Sequence, residues 1–375
     1  MPDSITVTRS SMPPFEEYIG EIADLWASHR LTNMGEKHKE LEKKLKQRLG
    51  ASNLALFVNG HNALECVLEA MGLRGKVITT PFTFASTTHA IIRKGLTPVF
   101  ADIRLDDYTI DPYSIEGLID SETAAIMPVH VYGHLCDIDA IQSIAEEYGL
   151  AVIYDAAHAF GVERFNHATN AWVNSACFGD AAMFSFHATK VFHTIEGGAI
   201  CFSECSLGEK LNQWKNFGIA GPESVKYIGG NAKMNEFCAA MGLCNLRHFD
   251  NEVQGRRVLA ERYWNHLENV PGVQIHRVGG DVRHNYAYMP VLINEDIFGT
   301  TRDAVFDALA SEDIGARKYF YPLTSDYDCY AGRFNSDETP NAQYVAERIM
   351  TLPLYSGLAM EDVDRICSIV KGCAR

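Results

Sequence analysis

The sequence predicts an α/β protein whose larger part is one mixed or mostly parallel sheet of seven strands, covered by helices on both faces. Two observations lead to this prediction. Short apolar segments alternate with segments of helical length between residues 36 and 202, which is the pattern of crossover connections between parallel strands. A hydrophobic content of 47% with only 13 prolines over 375 residues supplies enough apolar side chains for large cores.

The elements of this sheet follow one another in a regular order. A helix over Glu36–Leu49 comes first, because Leu41, Leu45 and Leu49 recur every four residues and Gly50 ends the pattern. The seven predicted strands are Leu54–Val58, Val77–Thr80, Pro98–Phe100, Ala124–Val129, Ala151–Tyr154, Ala181–Ser185 and Gly198–Phe202. Helices are predicted over Asn62–Met71, Ser86–Lys94 and Asp137–Tyr148, and no long helix separates the last two strands.

The pattern of charged and apolar residues changes beyond about Leu246. A charged helical stretch over Glu252–Leu267 is followed by a strand around Tyr286–Ile293 and then by alternating helices and strands. We therefore expect two domains, a large one over residues 1–246 and a smaller α/β domain over residues 247–375.

Charge and composition exclude several classes of partner. The chain has 33 basic and 48 acidic residues, a net charge of −15, and no concentrated basic face that could bind nucleic acid. No run approaches the ~18 apolar residues of a membrane span, and the first residues lack the pattern of a secretory signal. The ten cysteines form no C-x-x-C pair, which is typical of reduced thiols. We expect a cytoplasmic protein with neither a nucleic-acid nor a membrane partner.

Polar segments follow three of the predicted strands, where α/β sheets gather their ligands. The turn Asn59–Asn62 contains Gly60 and begins a helix, so its free amides could bind a phosphate, although ordinary turn chemistry also explains a glycine there. Asp155 could bind magnesium, cap the next helix or hold a protonated pyridine nitrogen. Lys190 lies among aromatic and small residues, which favours a desolvated nucleophile over a surface charge.

Together these features match the needs of pyridoxal phosphate (PLP): a phosphate cradle, an acid for the pyridine nitrogen and a lysine nucleophile. At this point the chain resembles the DegT/StrS-type sugar-nucleotide aminotransferases, which have the aspartate aminotransferase-like fold type I. The resemblance covers nearly the whole chain and rests on segments Leu31–Gly35, Thr80–Phe84, Pro128–Gly133, Asp155–His158, Phe184–Lys190, Glu196–Gly198, Asn231–Glu236 and Leu352–Tyr355.

The resemblance implies a role for each matching residue. Lys190 would bind PLP covalently and, once freed, move a proton between the amino acid and the cofactor, and Asp155 would pair with the pyridine nitrogen. Phe84 would stack on the ring and His158 would lie beside the cofactor hydroxyl. The phosphate would be held by Gly60, Ser185 and the amides of His61 and Asn62, with Asn231 contributed by a neighbouring subunit of a homodimer. His61 stands where the family usually has threonine.

The resemblance also implies the reaction, in which L-glutamate gives its amino group to a nucleotide-linked keto sugar in two half-reactions. The sequence around Lys190 is most similar to that of members that aminate C4 of dTDP-4-keto-6-deoxyglucose. Relatives that act at C3 or on UDP- or GDP-sugars are the alternative. For the substrate we assign Thr32, Asn33, the cations Arg317 and Lys318, and Tyr319.

Two readings from other classes stay open on the sequence alone. One is a non-catalytic, regulatory protein on the same fold, against which the presence of both Lys190 and Asp155 argues. The other is a metal-dependent sugar-nucleotide enzyme with His130, His134 and Asp155 as ligands. No Cys/His cluster with ligand spacing supports it, so we expect no metal.

Overall fold

The computed structural model describes residues 4–375, so the first three positions of the predicted large domain lie outside the described residues. Its strands in chain order are β1 (Asn53–Phe57), β2 (Lys76–Thr79), β3 (Thr97–Phe100), β4 (Thr123–Ile126), β5 (Ala151–Asp155), β6 (Glu163–Asn166), β7 (Ala171–Asn174), β8 (Ala181–Ser185), β9 (Gly198–Phe202), β10 (Ile219–Gly221), β11 (Ser224–Val225), β12 (Val273–Gln274), β13 (Val282–Arg283), β14 (Met289–Ile293) and β15 (Ile349–Leu352).

The helices alternate with the strands as the sequence predicts. In chain order they are α1 (Phe15–Ser28), α2 (Glu36–Leu49), α3 (Gly60–Ala70), α4 (Ala85–Arg93), α5 (Pro112–Glu116), α6 (Ile138–Tyr148), α7 (Ser206–Trp214), α8 (Glu236–Leu267), α9 (Glu295–Phe298), α10 (Arg302–Ser311), α11 (Pro340–Arg348) and α12 (Met360–Gly372).

The main sheet has seven strands in the order β1-β9-β8-β5-β4-β2-β3. Five neighbouring strands, β8, β5, β4, β2 and β3, run parallel, and β9 runs antiparallel to both β8 and β1. The predicted seven-stranded, mostly parallel sheet is therefore confirmed. Two apolar cores cover its faces, one containing Leu41, Leu45 and Leu49 of α2 and the other containing Leu64 and Val67 of α3.

Several element bounds differ from the prediction for local reasons. Helix α3 begins at Gly60 rather than Asn62, because the Asn59 side chain caps the helix by accepting a hydrogen bond from the Asn62 amide at 2.8 Å. The predicted strand that ends at Val129 stops at Ile126, and Val129 keeps only an isolated bridge to Asp155. Helix α1 and the β6–β7 hairpin were not predicted.

The long helix α8 joins the two parts of the chain. Its 32 residues span about 48 Å and unite the charged stretch predicted over Glu252–Leu267 with the apolar segment before it. A separate core lies at the C-terminal end, around the antiparallel strands β12, β14 and β15. Ile5 packs into this second core, and the Gly315 amide donates to its carbonyl oxygen at 2.7 Å. The predicted boundary at 246/247 falls inside α8, and the division into two domains stays a prediction.

None of the helices within residues 4–375 has the combination of length and apolar character needed to cross a membrane.

Candidate active site

A cavity of about 490 Å³ lies at the carboxyl ends of the sheet strands, where ligands of α/β proteins are expected. The turn after β1 supplies one wall, the start of α4 a second, and the ends of β5 and β8 the floor. The polar and aromatic residues that line it include Asn59, Gly60, His61, Phe84, Ser86, His89, Asp155, His158, Ser185, His187, Lys190, Glu196, Tyr288, Arg317 and Tyr319.

The turn after β1 presents free amide groups to this cavity. Gly60 and His61 are the first residues of α3, and the first amides of a helix have no intrahelical acceptor. The Asn62 amide donates instead to Asn59, so the structure brings Gly60 and His61 to the cavity but not Asn62. A Cβ atom on Gly60 would lie 3.0 Å from both Met183 Sδ and the Ser185 side chain. This close approach favours glycine and places Ser185 beside the helix N-terminus.

The His61 ring links the two helices that flank this turn. Its Nδ1 lies 3.0 Å from Ser86 Oγ on α4, and its Nε2 lies 3.3 Å from the Glu65 carboxylate on α3. Glu65 also accepts a hydrogen bond from Arg93 Nε. The hydrogen bond with His61, reinforced by Arg93 and opposed by burial, lowers the pKa of Glu65 to about 2.

Asp155 is a buried carboxylate at the end of β5, only 4% exposed. One carboxylate oxygen accepts a hydrogen bond from Thr87 Oγ1 at 2.7 Å and the other accepts from the Ala157 amide at 3.1 Å. Burial raises its pKa, while these two hydrogen bonds and the charge of Lys190 oppose the rise. Within residues 4–375 no basic side chain lies within 4.0 Å of it. The site therefore holds an oriented carboxylate that lacks a cation.

Lys190 lies on the segment between β8 and β9, and its Nζ donates to Tyr288 Oη at 3.3 Å. His158 packs against the same tyrosine, with ring centroids 4.6 Å apart. The backbone amide of Tyr132 donates to His158 Nδ1 at 3.0 Å, which leaves the proton of the neutral ring on Nε2. Burial, with the charge of Lys190 adding, holds the pKa of His158 well below its ordinary value, so the ring stays neutral.

Phe84 precedes α4 and leaves 55% of its surface exposed while lining the cavity. An aromatic ring of this size is usually buried, so its exposure beside Asp155 suits stacking on a planar ligand.

The residues expected to bind substrate are divided by the structure. Arg317 and Tyr319 line the cavity, and Arg317 Nη1 donates to Tyr319 Oη at 2.8 Å. Lys318 does not line it, because its ammonium forms an ion pair with Asp303 at 2.8 Å. Thr32 and Asn33 lie in an exposed turn between α1 and α2 and also do not line this chain's cavity.

Asn231 is exposed and lies outside the cavity of its own chain. Its Oδ1 accepts a hydrogen bond from Lys233 Nζ at 2.9 Å, which leaves its amide NH₂ free to donate.

Sequence reasoning missed several residues of the cavity. Thr87 supports Asp155, Tyr288 contacts Lys190, and the His89 ring accepts or donates a hydrogen bond with the Tyr330 hydroxyl. Thr87 could have been found, because it lies one helical turn after Thr83 near the motif that contains Phe84. Tyr288 could not, because it immediately precedes β14 and lies 98 residues after Lys190 in sequence.

His130 and His134, two of the ligands expected for a metal-dependent enzyme, make other contacts in the structure. His130 stacks on Tyr154 with ring centroids 4.6 Å apart, and His134 Nδ1 lies 2.9 Å from the Asp107 carbonyl oxygen. The part of the chain that the structure describes contains no group of three or more His, Cys, Asp or Glu side chains placed to hold a metal ion.

Comparisons with known proteins identify relatives of the whole chain. Residues 15–371 match the DegT/DnrJ/EryC1/StrS aminotransferase family. The dTDP-4-amino-4,6-dideoxy-D-glucose transaminase of Shigella dysenteriae is 40% identical over 371 residues, covering 99% of each chain. The Escherichia coli transaminase of the same name is 39% identical over 374 residues, covering 98% of each chain. The crystal structure of DesI in the presence of its TDP-sugar product superposes with a TM-score of 0.93 at 31% identity, covering 100% of this chain and 93% of DesI.

The depressed pKa of Glu65 gives a test of the contacts around His61. A carboxyl whose pKa is lower in the folded state stabilises the fold above its unfolded pKa and loses that contribution as the pH falls through its folded pKa. Unfolding midpoints of the wild type and Glu65→Gln should therefore differ most above pH 4.5 and converge as the pH falls towards 2. Differential scanning fluorimetry across this range measures the difference. A constant difference at every pH would contradict the ion-paired state assigned to Glu65.

Proposed function

The chain belongs to the DegT/DnrJ/EryC1/StrS aminotransferase family, and on that premise we propose that it is a PLP-dependent transaminase of nucleotide-linked keto sugars. One observation carries the proposal. A single cavity brings together a lysine amine, a buried carboxylate without a cation, an exposed aromatic ring and the free amides of a helix N-terminus. These groups match the amine-reactive carbon, the ring nitrogen, the ring face and the phosphate of PLP.

The charges in the cavity fit this cofactor. A protonated pyridine nitrogen would supply the cation that Asp155 lacks, and such a pair offsets the cost of burying either charge alone. The Gly60 and His61 amides, with the Ser185 hydroxyl, would hold the phosphate at the positive end of α3. Bound there, PLP supplies a ring that withdraws electrons from the carbon whose amino group is transferred.

Each side chain then has a task of its own. Lys190 would attach the cofactor and, as a free amine, take a proton from the amino-bearing carbon and return it at the cofactor carbon. The Tyr288 hydroxyl, 3.3 Å from Lys190 Nζ, would orient the amine towards the ring. His158 would donate its Nε2 proton to the cofactor hydroxyl, since its Nδ1 already accepts from Tyr132. Thr87 and the Ala157 amide would keep Asp155 ionised and aimed at the ring nitrogen.

We propose C4 of dTDP-4-keto-6-deoxyglucose as the acceptor carbon and L-glutamate as the donor. The two transaminases at about 40% identity bear the name of the corresponding 4-amino product, and they match this chain nearly end to end. Arg317 is the cation at the cavity that could meet the diphosphate, because Lys318 is neutralised by Asp303. The sugar would then lie between Arg317 and Lys190.

A homodimer would complete the site. Asn231, Thr32 and Asn33 are exposed and none lines the cavity of its own chain, so a second copy would bring them to it. The segment over residues 217–231 that leads to Asn231 exposes apolar side chains, since Ile228 is 96% and Val225 69% exposed. Monomeric proteins rarely expose such a patch, and burial against a second copy would account for it.

Borohydride reduction of the purified protein should fix a pyridoxyl group on Lys190, which peptide mapping would locate. Lys190→Ala should keep the fold and lose turnover by several orders of magnitude, because it removes both the attachment point and the proton carrier. Lys210→Ala, a change on the exposed face of α7, serves as the matched control and should alter neither readout. An adduct on another lysine would contradict the assignment.

Arg317→Ala should weaken binding of the sugar nucleotide by about ten- to hundredfold, the effect of losing one charge-assisted hydrogen bond worth about 1.5–3 kcal/mol. Single-turnover reaction with L-glutamate should stay nearly unchanged, since the donor carries no nucleotide. Lys318→Ala should weaken nucleotide binding much less, because its ammonium already pairs with Asp303. Equal damage to both half-reactions by Arg317→Ala would mean that Arg317 serves the donor or the fold.

Mixing two inactive variants tests the shared site. Lys190→Ala chains and Asn231→Ala chains should recover activity when combined by unfolding and refolding together, because one of the two sites in a mixed dimer would have all its residues. Analytical ultracentrifugation of the same samples gives the oligomeric state. A fully active monomer would exclude the shared site.

A further inference from the structure

Lys215 is a buried lysine that the proposed reaction does not use. It follows α7 immediately, and its side chain is 0% exposed. Within residues 4–375 no carboxylate lies within 4.0 Å of its ammonium, so the charge is buried without an ionic partner. Lysines are almost never fully buried unless paired, because desolvating the ammonium is costly. The free-energy cost of burying this ammonium therefore needs a functional explanation.

The ammonium of Lys215 caps an open edge of the main sheet. Strand β1 is the edge strand, hydrogen-bonded only to β9 within the sheet. Lys215 Nζ donates to the Leu56 carbonyl oxygen at 3.1 Å. Two residues later, on the same side of the chain, the Val58 amide donates to the Ala232 carbonyl oxygen at 2.7 Å. The outer edge of β1 is therefore closed by a lysine side chain and a short segment rather than by another strand.

The same lysine holds the segment that carries Asn231. The Ala232 amide donates to the Lys215 carbonyl oxygen at 2.9 Å, and Asn216 pairs with Asn231 in an isolated antiparallel bridge. Residues 215–216 thus hold residues 231–232 by their backbone, while the Lys215 side chain holds β1. Strand β1 leads directly into the turn whose Gly60 and His61 amides face the cavity.

We infer that Lys215 is a positioning residue that sets the distance between the turn after β1 and Asn231. In a dimer, the turn would hold the PLP phosphate in the site of its own chain, and Asn231 would hold the PLP phosphate in the site of the other subunit. The inference rests on the proposed function. It explains why a buried ammonium is present: a shorter or neutral side chain would leave the Leu56 carbonyl oxygen without this donor, and the 231–232 segment would then be joined to β1 through the Val58 amide alone.

Among residues 4–375, no charged group near Lys215 forms an ion pair that would explain its burial. Burial lowers the pKa of Lys215 to about 8, and Glu42 and Cys66 oppose the shift only in part. His38, which is 1% exposed on α2, has no hydrogen-bond partner for either ring nitrogen. Burial, with Lys215 adding, lowers the pKa of His38 to about 3, so His38 is neutral.

Lys215→Met separates positioning from ordinary structural support. Methionine fills nearly the same volume and removes the cost of burying an unpaired charge, which offsets the loss of the hydrogen bond to the Leu56 carbonyl oxygen. The melting temperature of the cofactor-free variant should therefore equal or exceed that of the wild type. Its affinity for PLP, measured by fluorescence titration of the full chain, should fall by about tenfold or more. At saturating PLP the kcat should stay within about twofold of the wild type.

Lys210→Met is the matched control, since Lys210 is exposed on the adjoining helix α7 and should change none of these values. An unchanged PLP affinity in Lys215→Met would overturn the inference, and so would losses of melting temperature and affinity in parallel. A wild-type chain that binds no PLP would instead overturn the proposed function.

Hydrogen exchange of the wild type tests the same coupling without a variant, in case Lys215→Met does not fold. The amides of Val58 and Ala232 should open with the same free energy, because the Val58 amide donates to the Ala232 carbonyl oxygen and the Ala232 amide donates in turn to the Lys215 carbonyl oxygen. Independent opening of the two amides would overturn the inference.

Discussion

The buried carboxylate of Asp155 is the constraint on which the rest of the site depends. An ionised group at the floor of a cavity is stable only if hydrogen bonds and an opposite charge compensate its lost hydration. The structure supplies the hydrogen bonds through Thr87 and the Ala157 amide, and among residues 4–375 no basic side chain comes within 4.0 Å of the carboxylate. A cationic ring nitrogen would complete the pair. Helix α4 thereby has two roles. It begins directly after Phe84, which would cover the cofactor ring, and its Thr87 side chain supports Asp155.

The sheet explains why these groups meet. Parallel strands place their carboxyl ends at one edge, so the turn after β1, the end of β5 and the end of β8 converge although about 125 residues separate the first from the last. Strand β9 is antiparallel and begins next to the turn after β1. A Cβ atom on Gly198, its first residue, would lie 2.6 Å from the Gly60 amide nitrogen. The glycine therefore lets the strand that follows Lys190 pack directly behind the turn after β1.

Most of this arrangement could be predicted from the sequence because it depends on residues that are close together along the chain. The alternation of apolar and helical segments predicted the seven strands, and the polar residues after the strands predicted that the turn over residues 59–62, Asp155 and Lys190 share one site. Contacts between distant segments could not be predicted in this way. The pairing of Lys318 with Asp303, the contact of Tyr288 with Lys190 and the capture of the Asn62 amide by Asn59 each depend on geometry that no spacing in the sequence encodes. The same holds for Lys215, whose surroundings come from β1, α2 and α7.

We propose that this site transfers an amino group to a keto sugar carried by a nucleotide. The most direct measurement incubates the purified protein with PLP, L-glutamate and a panel of keto sugar nucleotides that differ in nucleotide and in the position of the keto group. Mass spectrometry and NMR then identify any amino sugar. We expect amination of dTDP-4-keto-6-deoxyglucose at C4 in preference to the UDP-, GDP- and 3-keto compounds. Formation of 2-oxoglutarate from glutamate with no amino sugar from any member of the panel would contradict it.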